Sequence, residues 1–264
     1  MSALPAVRLR PLLLPVEHGG WGFLLEPAVI ALIAVPGAAT VLLALAALGL
    51  FLSRQPLKVA LDDARHRRKV PRTRVAWAIA AGYLFLAAGA LAGATVTAEH
   101  SFWPVAVLAT PLALVPLWFD SRGVSRHVVP ELAGAKALGA VAGAAALAAG
   151  LPWPLALGLW ASALVRVLPA IVTVRERVRR LHGERPDNRR PAVAHLLAFA
   201  AAAALAAVNL MPWGVPVVAL LLAVRAVWDL RAAAPAESAM RIGIREMVTG
   251  LAAAGVMGGV WREL

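Results

Sequence analysis

Long apolar runs, broken at short intervals by Pro, Gly and clustered charge, set the pattern of this chain. A helix rises 1.5 Å per residue, so about twenty apolar residues cross the ~30 Å hydrocarbon core of a bilayer. Nine such runs occur, at about 20–36, 38–58, 75–97, 102–119, 130–149, 153–173, 192–208, 212–230 and 243–261. The first and fourth are short. Pro36-Gly37, Gly150 to Pro152 and Met211-Pro212 leave only tight turns between runs at one end. The pattern predicts an all-α fold, a polytopic membrane bundle of about nine transmembrane helices in a single domain over 1–264. Residues 1–18 read as a cytoplasmic leader, and about 59–74 and 174–191 as basic cytoplasmic loops.

Composition sharpens this picture. Of 264 residues, 61% are hydrophobic and only 15% are charged, where a soluble domain carries nearer 25% charge. A net charge of +12 would suit nucleic acid, whose phosphates attract basic patches. The Lys and Arg residues lie instead in short connections between apolar runs, without a nucleic-acid motif, so that class is set aside. Arg8 and Arg10 precede the first run, and eight basic residues lie between Arg54 and Arg74. Arg122, Arg126 and Lys136 follow the fourth run, eight more lie between Arg166 and Arg190, and Arg225, Arg231, Arg241 and Arg245 surround the last connection. Only Arg262 falls elsewhere. Basic residues gather on the cytoplasmic side of short loops, which predicts a multi-pass plasma-membrane protein with its amino terminus inside and its carboxyl terminus outside. Trp103, Trp153, Trp213 and Trp261 then mark the outer interface, and Trp21, Trp77, Trp118 and Trp228 the inner one. With no cysteine, disulfide, thiolate-metal and cysteine-nucleophile chemistry are all excluded.

Some charges sit too deep for a topology signal alone. Counting along the runs puts Glu26, Lys136 and Arg166 about two turns inside, and Arg225 more than one. Arg54 and Lys58, four apart on one helical face, straddle the boundary, with Gln55 beside them and Asp62 one turn further out. Glu131 begins the fifth run, and Arg245 and Glu246 open the ninth. An ionisable group at such depth costs about 2.5–3.5 kcal/mol unless paired or wet. Long Lys and Arg chains can escape by snorkelling, and Arg225 with Asp229 has the spacing of a helical ion pair; Glu26, short and followed by Pro27, needs a partner across the bundle. The deep set is net positive and invites an anion such as phosphate, diphosphate or carboxylate.

Metal chemistry finds no support. Asp62-Asp63 is the only adjacent acidic pair, beside Arg65, His66 and Arg67, and the His residues are scattered. No cofactor is predicted, and Mg²⁺ is not expected. Glu17-His18-Gly19-Gly20-Trp21-Gly22 stands apart. His18, oriented by Glu17, suits proton transfer; a plain interfacial anchor around Trp21 is the simpler reading.

Glu17 through Trp21, Glu26-Pro27 and Arg54-Gln55-Pro56-Leu57-Lys58 resemble the YwiC-like family of bacterial membrane proteins. So do Pro130-Glu131-Leu132-Ala133-Gly134, Arg175-Glu176-Arg177 and Gly243-Ile244-Arg245-Glu246-Met247. Nine helices with loops after the second and sixth resemble, more remotely, the UbiA superfamily of intramembrane prenyltransferases. That resemblance implies a prenyl diphosphate held through Mg²⁺ by Asp-rich motifs in those two loops. This chain offers Arg54, Gln55, Lys58 and Asp62 in the first loop, and Arg166, Arg175 and Arg177 in the second, so metal-dependent transfer is not implied. The expectation is a UbiA-like bundle whose cationic cavity takes a phospholipid or isoprenoid phosphate from the cytoplasmic leaflet. Arg54, Lys58, Arg166 and Arg175 would hold the phosphate, and Glu26 or His18 would act as acid or base. A small-anion transporter, or a non-catalytic subunit whose basic loops dock an acidic partner, are the alternatives.

Overall fold

A computed structural model describes residues 9–14, 18–68, 70–124, 127–185, 187–231 and 238–264, the side chains of 18, 19, 230 and 231 excepted. Arg8, Glu17, Lys69 and Arg126 lie outside the described residues, as do the side chains of His18 and Arg231. Among the described residues every regular element is a helix. A four-residue turn, α1 (Arg10–Leu13), precedes α2 (His18–Ala34), α3 (Ala38–Arg65), α4 (Pro71–Thr97) and α5 (Trp103–Ser121). The chain continues through α6 (Val128–Ala148), α7 (Trp153–Leu181), α8 (Arg189–Ala207), α9 (Gly214–Arg231) and α10 (Ala239–Arg262). Six of these, α3 to α8, are long and apolar enough to cross a membrane, and Gly20–Ala34 of α2 is a shorter apolar helix.

Local chemistry explains the boundaries. Proline sits in the first two positions of α4, α5 and α7, where a missing N–H costs nothing and the fixed φ suits the helix. His127 and Ser238 accept hydrogen bonds from Val129 N and Arg241 N at the starts of α6 and α10. The turns after α3 and α7 need a left-handed residue, supplied by Arg67 (φ 53°) and Gly183 (φ 76°). Prolines also lie within α2, α3, α5 and α7, as bundled membrane helices tolerate.

The structure lengthens two elements beyond their apolar runs. The second and sixth runs end near 58 and 173, yet α3 continues to Arg65 and α7 to Leu181. Much of each stretch read as a basic loop is therefore helix. The reason is that Arg, Lys, Leu and Glu are good helix formers in water as well as in lipid, so polarity ends the membrane span without ending the helix. Both extensions lie at the same, basic end of the bundle.

Helix α2 is central, packed against α10, α6, α3 and α7. Consecutive helices α5 to α9 pack in sequence, and α10 returns to α2 while touching α7 and α9. Helix α4 rests on α3 and the short α1, with no comparable packing on α5. Small residues set these distances. On α4 the stripe Ala76, Ala80, Ala87 and Ala94 is buried, while Phe85 and Val96 stand 79% and 85% exposed on the side available to lipid. Trp261 is not an interface anchor: it is buried on α10 and donates its indole N–H to Ser162 Oγ of α7 at 2.9 Å. Gly258 on α10 meets α2 so closely that a Cβ there would sit 2.8 Å from Ile33 Cβ and 3.0 Å from the Ile30 carbonyl oxygen. At Gly259, one residue on, a Cβ would meet nothing within 4 Å.

These neighbouring glycines make a matched test of the α2–α10 seam. Gly258→Ala should lower the unfolding temperature in detergent, since backbone must move. Gly259→Ala should leave it unchanged or raise it, alanine being the better helix former by about 1 kcal/mol.

Candidate functional site

A cavity of about 910 Å³ runs through the bundle, walled by residues of α2 to α7 and α10. At the end away from the basic helix extensions its walls are apolar, with Leu43, Leu91, Phe102, Trp103 and Ala144. At the basic end they carry Arg54, Glu131, Arg175 and Arg179, and between the two lie Glu26, Arg166 and Glu246. The size and the apolar lining with few polar groups are those of a small-molecule site. Leu84 and Leu91 of α4 and Ala106, Ala109, Thr110 and Ala113 of α5 line the same cavity. These two helices do not pack closely on one another, and Leu84, Thr110 and Ala113 line the cavity and are exposed.

The middle level is a buried ionic network. Arg166 Nη2 lies 3.3 Å from Glu26 Oε1, with both side chains no more than 5% exposed. It also donates to the Glu246 carbonyl oxygen at 2.9 Å and lies 3.8 Å from Glu246 Oε2. Glu246 gathers Arg225 at 2.8 Å and Arg177 at 3.3 Å. Asp229 takes Arg177 at 2.6 Å, Arg245 at 3.0 Å and Arg225 at 3.5 Å. Five helices are thereby tied together: α2, α7, α9 and α10 through charge, and α8 through His195, whose Nε2 lies 3.3 Å from Thr173 Oγ1 on α7. Gly250 makes room for the network, because a Cβ there would fall on Glu26 Oε1 and lie 2.5 Å from Arg166 Nη2. Two buried atoms of this network, Glu26 Oε2 and Arg166 Nε, have no hydrogen-bond partner among the described residues.

Nearer the basic end the cations are half exposed. Arg54 forms a two-pronged pair with the fully buried Asp120, Nε to Oδ2 at 2.9 Å and Nη2 to Oδ1 at 3.2 Å, and Lys58 Nζ lies 3.9 Å from the same carboxylate. Arg175 meets Glu131 at 2.8 Å. Arg179 is shared between Glu184 at 2.8 Å and the buried Glu176 at 3.2 Å.

The predicted residues therefore separate into groups. Glu26, Arg54, Glu131, Arg166, Arg175 and Glu246 share the cavity. Arg177, Arg225 and Arg245 stand behind it in the network. Lys136 is on α6 but is not a wall residue; its carbonyl accepts from Trp160 Nε1 at 3.0 Å. Gln55 turns to the leader and donates to the Pro11 carbonyl at 3.3 Å, and Asp62 pairs with His66 and Arg68 at the exposed end of α3.

The sequence suggested cations in surplus. The structure places a carboxylate within 4 Å of each of Arg54, Lys58, Arg166, Arg175, Arg177, Arg225 and Arg245, but these seven cations share five carboxylates, those of Glu26, Asp120, Glu131, Asp229 and Glu246. Asp120 escaped notice because it follows the fourth run, where an acid reads as a helix end. Asking what neutralises Arg54 at that depth would have found it. Among the described residues no group of three or more His or acidic side chains could hold a metal ion.

A family model described as YwiC-like protein matches residues 14–146, half of the chain, from the segment before α2 into α6. Neither the curated proteins nor the solved structures give a match.

The network generates a direct test. Glu246→Gln keeps the shape but strips a charge from beside three arginines, and breaking a buried pair costs about 3–5 kcal/mol. Thermal unfolding in detergent should show a large loss, whereas Asp62→Asn, at an exposed pair, should show almost none.

Proposed function

The chain belongs to the YwiC-like protein family, and from that premise we propose that it is an intramembrane receptor for an amphiphile drawn from the bilayer. One observation carries the reading: a single cavity joins an apolar chamber at one end to paired arginines at the other. The apolar part would take a lipid or isoprenoid chain, whose transfer out of water is favourable by about 0.8 kcal/mol per CH₂. The basic end would take the headgroup. The loose packing between α4 and α5 would give the ligand a path from the hydrocarbon layer that does not cross water.

The division of labour among the arginines follows from exposure. Arg166, 3% exposed and held by Glu26 and Glu246, is a structural centre of the site. Arg54, Arg175 and Arg179 are each 37–39% exposed, and can turn from a carboxylate to a phosphate while Lys58 stays at 3.9 Å from the buried Asp120, Arg190 at 3.5 Å from the buried Glu176, and Glu131 is itself half exposed. Guanidinium groups suit bidentate phosphate binding, so the head proposed is the phosphate of a phospholipid or the phosphate or diphosphate of an isoprenoid. The clustering of basic residues at this end supports a head lying in the cytoplasmic leaflet. Were the bound head to leave, these same cations would stabilise the departing charge.

Native mass spectrometry of gently purified protein tests the proposal. A phosphate-bearing lipid should co-purify at about one per chain, and its occupancy should fall at least tenfold in the Arg54→Leu, Arg175→Leu double variant. Arg189→Leu, at an arginine that does not line the cavity, should retain it. Bulk lipid alone in all three proteins would reject the proposal.

A further inference from the structure

The apolar end of the large cavity stops inside packed protein. The wall residues nearest that end are Leu43 on α3, Leu91 on α4 and Ala144 on α6. About one turn further on, Ala39, Ala94 and Leu147 are buried and line no cavity. Across the tip, the Glu99 N–H donates to the Ala148 carbonyl oxygen at 2.8 Å, tying the α4–α5 connection to the end of α6. Phe102, the residue before α5, completes the floor. Its side chain is 1% exposed and lines the cavity, and its ring stacks on the half-exposed Trp103 with centroids 5.3 Å apart. The exposed wall residues Thr110 and Ala113 lie eight and eleven residues from Phe102, about 12 and 16 Å along α5. The tip is therefore covered, while the middle of the chamber has exposed residues in its wall.

We propose that Phe102 is a specificity-determining residue: it sets the length of hydrocarbon chain that the chamber accepts. The depth available follows from helix rise. Leu43 to Arg54 is eleven residues of α3, about 16 Å, and Glu131 to Ala144 is thirteen residues of α6, about 20 Å. An extended chain gains about 1.2 Å per bond, since a three-bond residue spans at most ~3.6 Å. The distance from the half-exposed arginines to the floor therefore holds about 14–18 main-chain carbons, or an isoprenoid of about four units. A longer chain meets the Phe102 ring, which is packed and cannot yield without disturbing the core around it. A shorter one leaves apolar wall uncovered. The proposal rests on the cavity reading and adds the size of the ligand's apolar part.

A ladder of saturated monoalkyl phosphates, from decyl to docosyl in equal amounts, tests the floor. Offered to purified protein in detergent and read by native mass spectrometry, wild type should bind chains of about 14–18 carbons best. Docosyl phosphate should be bound at least tenfold less than hexadecyl phosphate. Phe102→Ala deepens the chamber and should move the preferred length up by about two carbons or more. Ala144→Leu fills its tip and should move the preferred length down by a similar step. Comparing each profile with that of wild type cancels the unequal partition of the probes into micelles. Phe102→Ala empties a packed position, so if it fails to fold, Ala144→Leu, which adds atoms where the wall faces open space, decides alone. A wild-type profile without a maximum would overturn the length assignment, as would a preferred length that stays in place in a folded variant, the result for a merely structural Phe102. If the phosphates still bind in that case and the Arg54→Leu, Arg175→Leu double variant releases them, the cavity reading stands. If no length binds to wild type, both readings fall.

Discussion

An ionised side chain inside a bilayer is costly unless it is paired, and the arrangement of α2, α7, α9 and α10 follows from that constraint. Arg166 sits between Glu26 and Glu246, Glu246 collects two more arginines, and Asp229 closes the chain towards the basic end. Removing Glu246 would take a carboxylate from Arg166, Arg177 and Arg225 together, at a depth where an unpaired charge is costly. The network thereby fixes the rotation of each helix about its axis. In lipid this matters more than in water, because apolar faces lack a hydrophobic drive to find one another and rely on close packing and polar contacts. Gly250 and Gly258 belong to the same device: the first admits the ion pair and the second lets α10 approach α2 closely enough to form it.

The cavity follows from the network. Holding α2, α6, α7 and α10 together builds one wall, while the α3–α4 hairpin stands opposite with α5 between. α4 leans on α3 alone among the long helices, and exposed residues of α4 and α5 line the chamber. Its ends differ chemically because the helices themselves do. Apolar and small residues fill their outer halves, and the extended α3 and α7 carry arginine past the membrane span. The buried network is ionic, and the chamber wall is apolar with half-exposed arginines at one end.

Much of the fold could be read from the chain. Nine apolar runs became α2 to α10, and the prolines and glycines at 36–37, 150–152 and 211–212 became the short connections. The ends of α3 and α7 could not, because hydropathy reports where lipid stops and helix propensity continues beyond it. The candidate site was half legible. Depth along a run singles out Glu26 and Arg166, since their cost is set by position alone. Which charge faces which depends on helix rotation and neighbour order, and a single sequence records neither. That is why Asp120, separated from Arg54 by 66 positions, went unseen, and why Lys136, equally deep by counting, proved not to be a wall residue. Trp261 shows the same limit, since an indole near a helix end reads the same whether it meets the interface or a serine on the next helix.

The claim that an amphiphile enters this chamber from the bilayer can be tested by photochemistry, before the ligand is known. Protein would be reconstituted in phosphatidylcholine vesicles containing a phospholipid with a diazirine on its acyl chain, illuminated, digested and mapped by mass spectrometry. The account predicts adducts on the inner wall, at Leu138 and Val141 of α6 and Leu43 of α3, lost when Thr110 and Ala113 at the opening are both changed to Trp. Adducts confined to outward residues such as Phe85 and Leu197, the same with and without the tryptophans, would contradict it.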